Sequence, residues 1–229
     1  MLNRGFMSVV VVCGSLLGGA CGGSDADPVA AENYFDEAFK LTCERAFDCC
    51  TQSELDAQFG TLDPQPTNVE ECIAAYGAFA ALIEPDFLAS IEAGRTNYDA
   101  DKAGACFDAA RGLACAADLD ADLPDCATIV TPKVALGGAC SQSEECIGDA
   151  SCVTPDGAEL GECAAQAAIG EACASVECVD TAFCDFIADA CVAKKANGEA
   201  CAGSYECDSD YCDDTSSACA AEPVTCDGV

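Results

Sequence analysis

The chain contains no histidine and no tryptophan, and its nine lysines and arginines stand against 41 aspartates and glutamates. Each shortage excludes something. Without histidine no Ser-His-Asp or Cys-His catalytic arrangement can form, and the mixed Cys/His zinc sets are unavailable. No Cys-x-x-Cys occurs although cysteines number 22, which removes the zinc-type and thioredoxin-type spacing. There is no Gly-x-Ser-x-Gly and no phosphate-binding loop. The missing tryptophan and sparse aromatics weigh against a sugar cleft. With 41 acids, paired carboxylates of the glycosidase kind arise by chance. A hydrolase of the cell envelope is therefore kept only as an alternative, and the expectation is no enzyme and no cofactor.

The shortage of positive charge leaves a formal net charge of −32. Such a field repels nucleic acid and anionic headgroups. No nucleic-acid partner is expected, and membrane contact is expected only through an anchor. The acids are spread along the chain, 22 in residues 21–130 and 19 in residues 131–229.

What the chain has is cysteine, close to one residue in ten, the range of secreted disulfide scaffolds. Its start fits that compartment. Arg4 precedes an apolar run, Gly5 to Leu17, followed by small residues and Cys21. This is the order of a secretory signal peptide, too short for a membrane span. "LLGGACGGSD" resembles a bacterial lipoprotein signal, although Gly18 stands where that family prefers leucine. The resemblance implies cleavage after residue 20, lipid on Cys21 and a flexible tether over 21–30. Plain secretion, with Cys21 a stray thiol, and an uncleaved anchor are the alternatives. Cleavage would leave 8 basic against 41 acidic residues, a charge of −33.

Residues 31–130 read as a helical, disulfide-stapled domain. Phe35, Phe39, Cys43 and Phe47 recur at i+4 beside Ala46 and Cys50. Val69, Cys72, Ile73, Tyr76, Phe79, Ala80 and Ile83 make a second stripe, with Thr67 and Glu70 as a capping box. Pro85 is expected to open a separate short helix closed by Gly94. Asp99 is expected to cap a further helix bearing Cys106, Phe107, Ala110 and Leu113. Cysteines seven apart on one helix, such as Cys43 and Cys50, sit about 10 Å from each other and must bond elsewhere. This segment holds Cys43, Cys49, Cys50, Cys72, Cys106, Cys115 and Cys126, an odd set. Cys226, in the tail 220–229, is unassigned. It either returns to this segment or one thiol stays free.

From Leu136 helical periodicity stops and a repeat begins. It spans 137–163, 170–191 and 198–219, each opening Gly-x-x-Cys and holding four cysteines. These are Cys140, Cys146, Cys152 and Cys163; Cys173, Cys178, Cys184 and Cys191; and Cys201, Cys207, Cys212 and Cys219. Between the third and fourth lies a turn signal, as in Pro155-Asp156-Gly157. A short β-hairpin is expected in each, with disulfides replacing a core. Three pairings are open in each repeat; first with third and second with fourth is favoured.

These repeats resemble the Dickkopf N-terminal cysteine-rich domain, and repeats of that kind in lipoproteins of soil-dwelling predatory bacteria. Gly137, Cys140, Cys146, Cys152, Cys163 and their counterparts carry the resemblance. "NYDADKAGACFDAARGLAC", running on to "PDC" and "VALGGAC", resembles the helical leader of those bacterial proteins. The implied role is an extracytoplasmic binding module for a protein or envelope partner, at the outer membrane, on the cell surface or secreted. The Wnt antagonism of the vertebrate members does not transfer.

Two metal readings compete. Asn97, Asp99, Asp101 and Asp108 fall at positions 1, 3, 5 and 12 of an EF-hand-like string, with Lys102 where glycine is needed. "CDSDYCDD" clusters Asp208, Asp210, Asp213 and Asp214 as weak calcium candidates. A calcium-binding envelope protein using acidic loops is the second functional alternative. The vicinal pair Cys49-Cys50 raises a redox disulfide, against separate partners for each cysteine.

Overall fold

The computed structural model describes residues 26–60, 62–115, 122–174, 176–221 and 226. They fall into two compact units. The first holds the described residues up to Glu92, Asn97–Thr131 and Cys226; the second holds Ala93–Thr96 and the described residues from Pro132 to Ala221.

The first unit is helical. Helix α1 (Tyr34–Cys49) is followed by α2 (Gln52–Phe59), α3 (Val69–Glu92) and α4 (Ala100–Arg111). The i+4 stripe of α1 is half its story. Phe39 stacks on Tyr76 of α3 and Phe47 on Phe59 of α2, around buried Cys43, Ala46, Leu55, Phe59 and Cys72. A second face of α1 carries Leu41 into another cluster with Ala103, Phe107, Ala110 and Ile129. Tyr34 lies in that second cluster against Phe87, Tyr98 and Phe107. Burial first, then nearby negative charge, pushes Tyr98 up to about 12, while its Oη donates to the Val29 carbonyl at 2.8 Å.

Local capping sets the helix starts. Asp99 accepts from the Lys102 amide at 3.0 Å and caps α4 as expected. The start of α3 departs from expectation by one residue. Asn68 caps it by accepting from the Glu71 amide, and Glu71 reaches back to the Thr67 amide and hydroxyl at 2.8 Å. Helix α2 was not legible in the apolar pattern; Thr51 and Glu54 form its capping box. Pro85 does not open a new helix. It lies inside α3, which runs unbroken to Glu92. Both Pro85 and Ala81 are exposed, so water can satisfy the Ala81 carbonyl that Pro85 cannot serve. Gly94, at φ +69°, ends the run.

The short strands β1 (Thr96–Tyr98) and β2 (Val130–Pro132) pair as a two-stranded sheet. The second unit then builds the three repeats. In the first, β3 (Ala139–Cys140), β4 (Ala150–Val153) and β5 (Gly161–Ala165) form a sheet ordered β3-β5-β4. The second has the hairpin of β6 (Ala182–Asp185) and β7 (Ala190–Ala193); the third has β8 (Cys212–Asp213) and β9 (Ala218–Cys219). All these pairings are antiparallel. The expected hairpin therefore stands between third and fourth cysteine in every repeat. The first repeat's turn closes with the Ala158 amide on the Pro155 carbonyl, and Gly157 takes φ +77°.

Candidate functional site

The features that could act on other molecules are built on disulfides. In the helical unit Cys43 of α1 bonds Cys72 of α3, Cys49 bonds Cys115, and Cys106 of α4 bonds Cys126. Cys50 bonds Cys226 across a separation of 176 residues. The Cys226 amide is held by the Glu54 carboxylate at 2.9 Å. The vicinal cysteines thus point to different partners, because Cys49 ends α1 while Cys50 turns into extended backbone. Arg45 strengthens the same corner, donating to the Ala110, Leu113 and Ala114 carbonyls at the C-terminal end of α4.

Each repeat uses one pairing scheme. Cys140 bonds Cys152 and Cys146 bonds Cys163. Cys173 bonds Cys184 and Cys178 bonds Cys191. Cys201 bonds Cys212 and Cys207 bonds Cys219. The third and fourth cysteines lie directly opposite across the hairpin, as Cys152↔Cys163, Cys184↔Cys191 and Cys212↔Cys219. They do not bond each other. Each reaches down to the segment that precedes the hairpin and clamps it against the hairpin face. Three sulfurs of each repeat come within 4.8 Å of one another, Cys140, Cys146 and Cys163 in the first. All are committed to disulfides, so the clusters are staples and not ligand sets.

The opening glycine of each repeat has a specific task. Gly137, Gly170 and Gly198 take φ +80°, +90° and +93°. Their amides donate to the carbonyls of Cys163, Cys191 and Cys219 at 2.8, 2.8 and 2.7 Å. A side chain is disfavoured in that left-handed region.

One set of residues was missed in the sequence. Ser-x-Glu-Cys stands before the second cysteine in all three repeats, with Glu145, Glu177 and Glu206. Aligning the repeats on their second cysteine finds it at once. Glu145 is fully buried. It accepts from Arg95 Nε at 2.8 Å, the Ser141 amide at 2.7 Å and the Ser141 hydroxyl at 2.8 Å. Glu206 pairs with Lys195 and accepts from the Ala202 amide at 3.1 Å. The Lys195 ammonium first, then that amide, holds the Glu206 carboxyl below its ordinary value of 4.5. Glu177 differs. It is exposed and accepts from Ser151 of the first repeat at 2.9 Å. These carboxylates hold the loop after the first cysteine, or the preceding repeat, in place.

The calcium candidates are not brought together. Asp213 accepts from the Thr215 amide at 2.8 Å and the Ser216 hydroxyl at 2.9 Å, which close its own turn and hold its carboxyl low. Asp210 pairs with Lys194 at 2.7 Å. Among the described residues, Asp208, Asp210, Asp213 and Asp214 supply no three carboxylates converging on a point. The EF-hand-like string fails for a different reason: Asp101 and Asp108 lie within α4 and Asp99 is its cap, so no calcium loop exists there. Glu54, Glu71, Glu206 and Asp213 are held low by bonds they accept. That is the opposite of what a general acid needs.

Grooves open in both units. One, about 650 Å³, lies in the helical unit between the segment Ala26–Ala30 and α4. Of the four acids that line it, Glu37 is tied to Arg111 at 2.6 Å. The other, about 480 Å³, lies over the Cys173–Cys184 bond between Val153, Val176 and Phe186.

Residues 1–25 lie outside the described residues, and with them the expected signal peptide, Cys21 and the start of the tether. Of the tail only Ala220, Ala221 and Cys226 are described. The ten disulfides belong to an oxidising, extracytoplasmic compartment. Comparison with protein-family profiles, curated proteins and solved structures finds no match to this chain.

Proposed function

We propose that the protein is a non-enzymatic, lipid-anchored extracytoplasmic scaffold whose cysteine-rich repeats bind a protein or envelope partner. The observation that carries this reading is the complete use of the twenty cysteines from Cys43 to Cys226 in disulfides. No thiol among them is left for catalysis or metal. Three repeats share one staple and differ at their exposed turns, the arrangement of a rigid frame with variable presentation. The Dickkopf-like pattern and the lipoprotein-like "GGAC" support a tethered binding module.

The test is the intact mass of protein purified from membranes, alkylated without reduction. Loss of residues 1–20, lipid on Cys21 and almost no alkylation are expected. A mass without lipid overturns the anchor. Extensive alkylation overturns the stapled scaffold.

A further inference from the structure

The second repeat carries two apolar residues where its frame does not require them. At the tip of the β6–β7 hairpin Phe186 is 71% and Ile187 100% exposed. The turn holds them firmly. Asp185 Oδ1 accepts from the Ile187 and Ala188 amides at 2.9 and 3.1 Å, and Asp189 takes φ +50°. The third repeat is an internal control. There Asp213 accepts from the Thr215 amide at 2.8 Å and Ser217 takes φ +51°, so the turn is the same. Asp214 and Thr215 occupy the places of Phe186 and Ile187. The turn therefore forms equally well with polar residues, and the Phe-Ile pair serves something other than folding.

Phe186 also walls the groove of about 480 Å³ with Val153 and Val176, and the carboxylates of Asp156 and Glu177 stand at its edge. Charge decides what fits. Residues 131–229 hold 19 acids against Lys133, Lys194 and Lys195. Lys194 and Lys195 are already paired with Asp210 and Glu206. An anionic membrane or a second copy of this acidic chain would meet net repulsion.

We infer that the Phe186–Ile187 tip and its groove form the docking site for a cationic polypeptide segment that presents apolar side chains flanked by lysine or arginine. The inference rests on the scaffold reading and names the partner chemistry. Apolar contact supplies the central anchor, and the surrounding carboxylates select the charge of the rim.

The test uses the full chain and a short synthetic peptide in which leucines alternate with lysines. The same peptide with glutamate for lysine, zwitterionic and anionic vesicles, and sedimentation of the protein alone are the controls. The variant Phe186→Asp/Ile187→Thr copies the third repeat's tip and should keep the wild-type melting midpoint. The lysine peptide is expected to bind the wild type, to weaken with salt, and to lose about tenfold or more in affinity to the variant. Asp156→Asn is expected to weaken binding less and to reduce its salt dependence. Equal binding by wild type and variant, no binding of the lysine peptide, preference for the glutamate peptide, or a tip-dependent affinity for vesicles or self-association would each overturn the inference. The scaffold reading would survive those outcomes, because it stands or falls on the alkylation and mass experiment.

Discussion

At the scale of the residue, the decisive chemistry lies in acids that the cysteine pattern overshadows. Glu145 is sealed in the first repeat with three donors around it. Removing it strands the Arg95 guanidinium and the Ser141 amide in a partly dry site, which costs about 3 kcal/mol. We expect Glu145→Ala to lower the thermal midpoint of the second unit and to speed amide exchange at Ser141. Glu145→Gln, which keeps the shape, should lose less. Glu206 makes the pH case. Its carboxyl is held below 4.5 by Lys195 and then by the Ala202 amide. A value lowered in the folded state adds stability that is present above 4.5 and is lost as pH falls through the depressed folded value. Glu54, held low first by the Cys226 amide, and Glu71, held low by the Thr67 amide, act in the same sense. Melting midpoints measured from neutral pH downward should therefore fall below that point, and Glu206→Gln should flatten the fall.

At the scale of the element, the helices depend on close approaches as much as on apolar stripes. Gly104 lies mid-helix in α4, where glycine costs about 1 kcal/mol relative to alanine. It is kept because a Cβ there would overlap the Asp27 carbonyl. Gly104→Ala is expected to destabilise the helical unit by about 1–3 kcal/mol despite its better helix propensity. The check is a lower thermal midpoint followed by helical circular dichroism. Cys43 and Cys72, both fully buried, join α1 to α3. Replacing both with alanine should cost about 2–5 kcal/mol by the same measurement. Helix α3 shows where local reading stops short. Proline signals a boundary in the sequence, yet Pro85 faces solvent and the helix passes through it.

At the scale of the whole molecule, stability should divide by kind of support. The helical unit has aromatic and aliphatic clusters; the repeats have cysteines and alanines with little else. On graded reduction without denaturant, we expect alkylation to appear first at Cys50 and Cys226, Cys106 and Cys126, and Cys201 and Cys212, whose bonds are half-exposed on both sides. Cys43 and Cys72 should be last. Mass mapping of the alkylated sites against time reads the order, and early opening of Cys43–Cys72 would contradict it. Full reduction should erase the repeats while much of the helical signal persists, because α1–α4 keep a packed apolar interior.

The amino-acid sequence by itself determined the disulfide-rich class, the helical first half, the three repeats and a hairpin in each. These follow from local causes: i+4 periodicity, cysteine spacing and the turn chemistry of Pro155-Asp156-Gly157 and its counterparts. The favoured first-with-third and second-with-fourth pairing stands in each repeat, but tertiary structure alone decided the partners in the helical unit. A disulfide needs Cα atoms brought within about 7 Å, and no spacing along the chain tells that Cys50 meets Cys226 or that Cys49 meets Cys115. The same holds for charge. Asp210, Asp213, Glu145 and Glu206 look alike as letters in an acidic chain. Which carboxylate meets an ammonium, closes a turn or faces water depends on what the folded chain places around it.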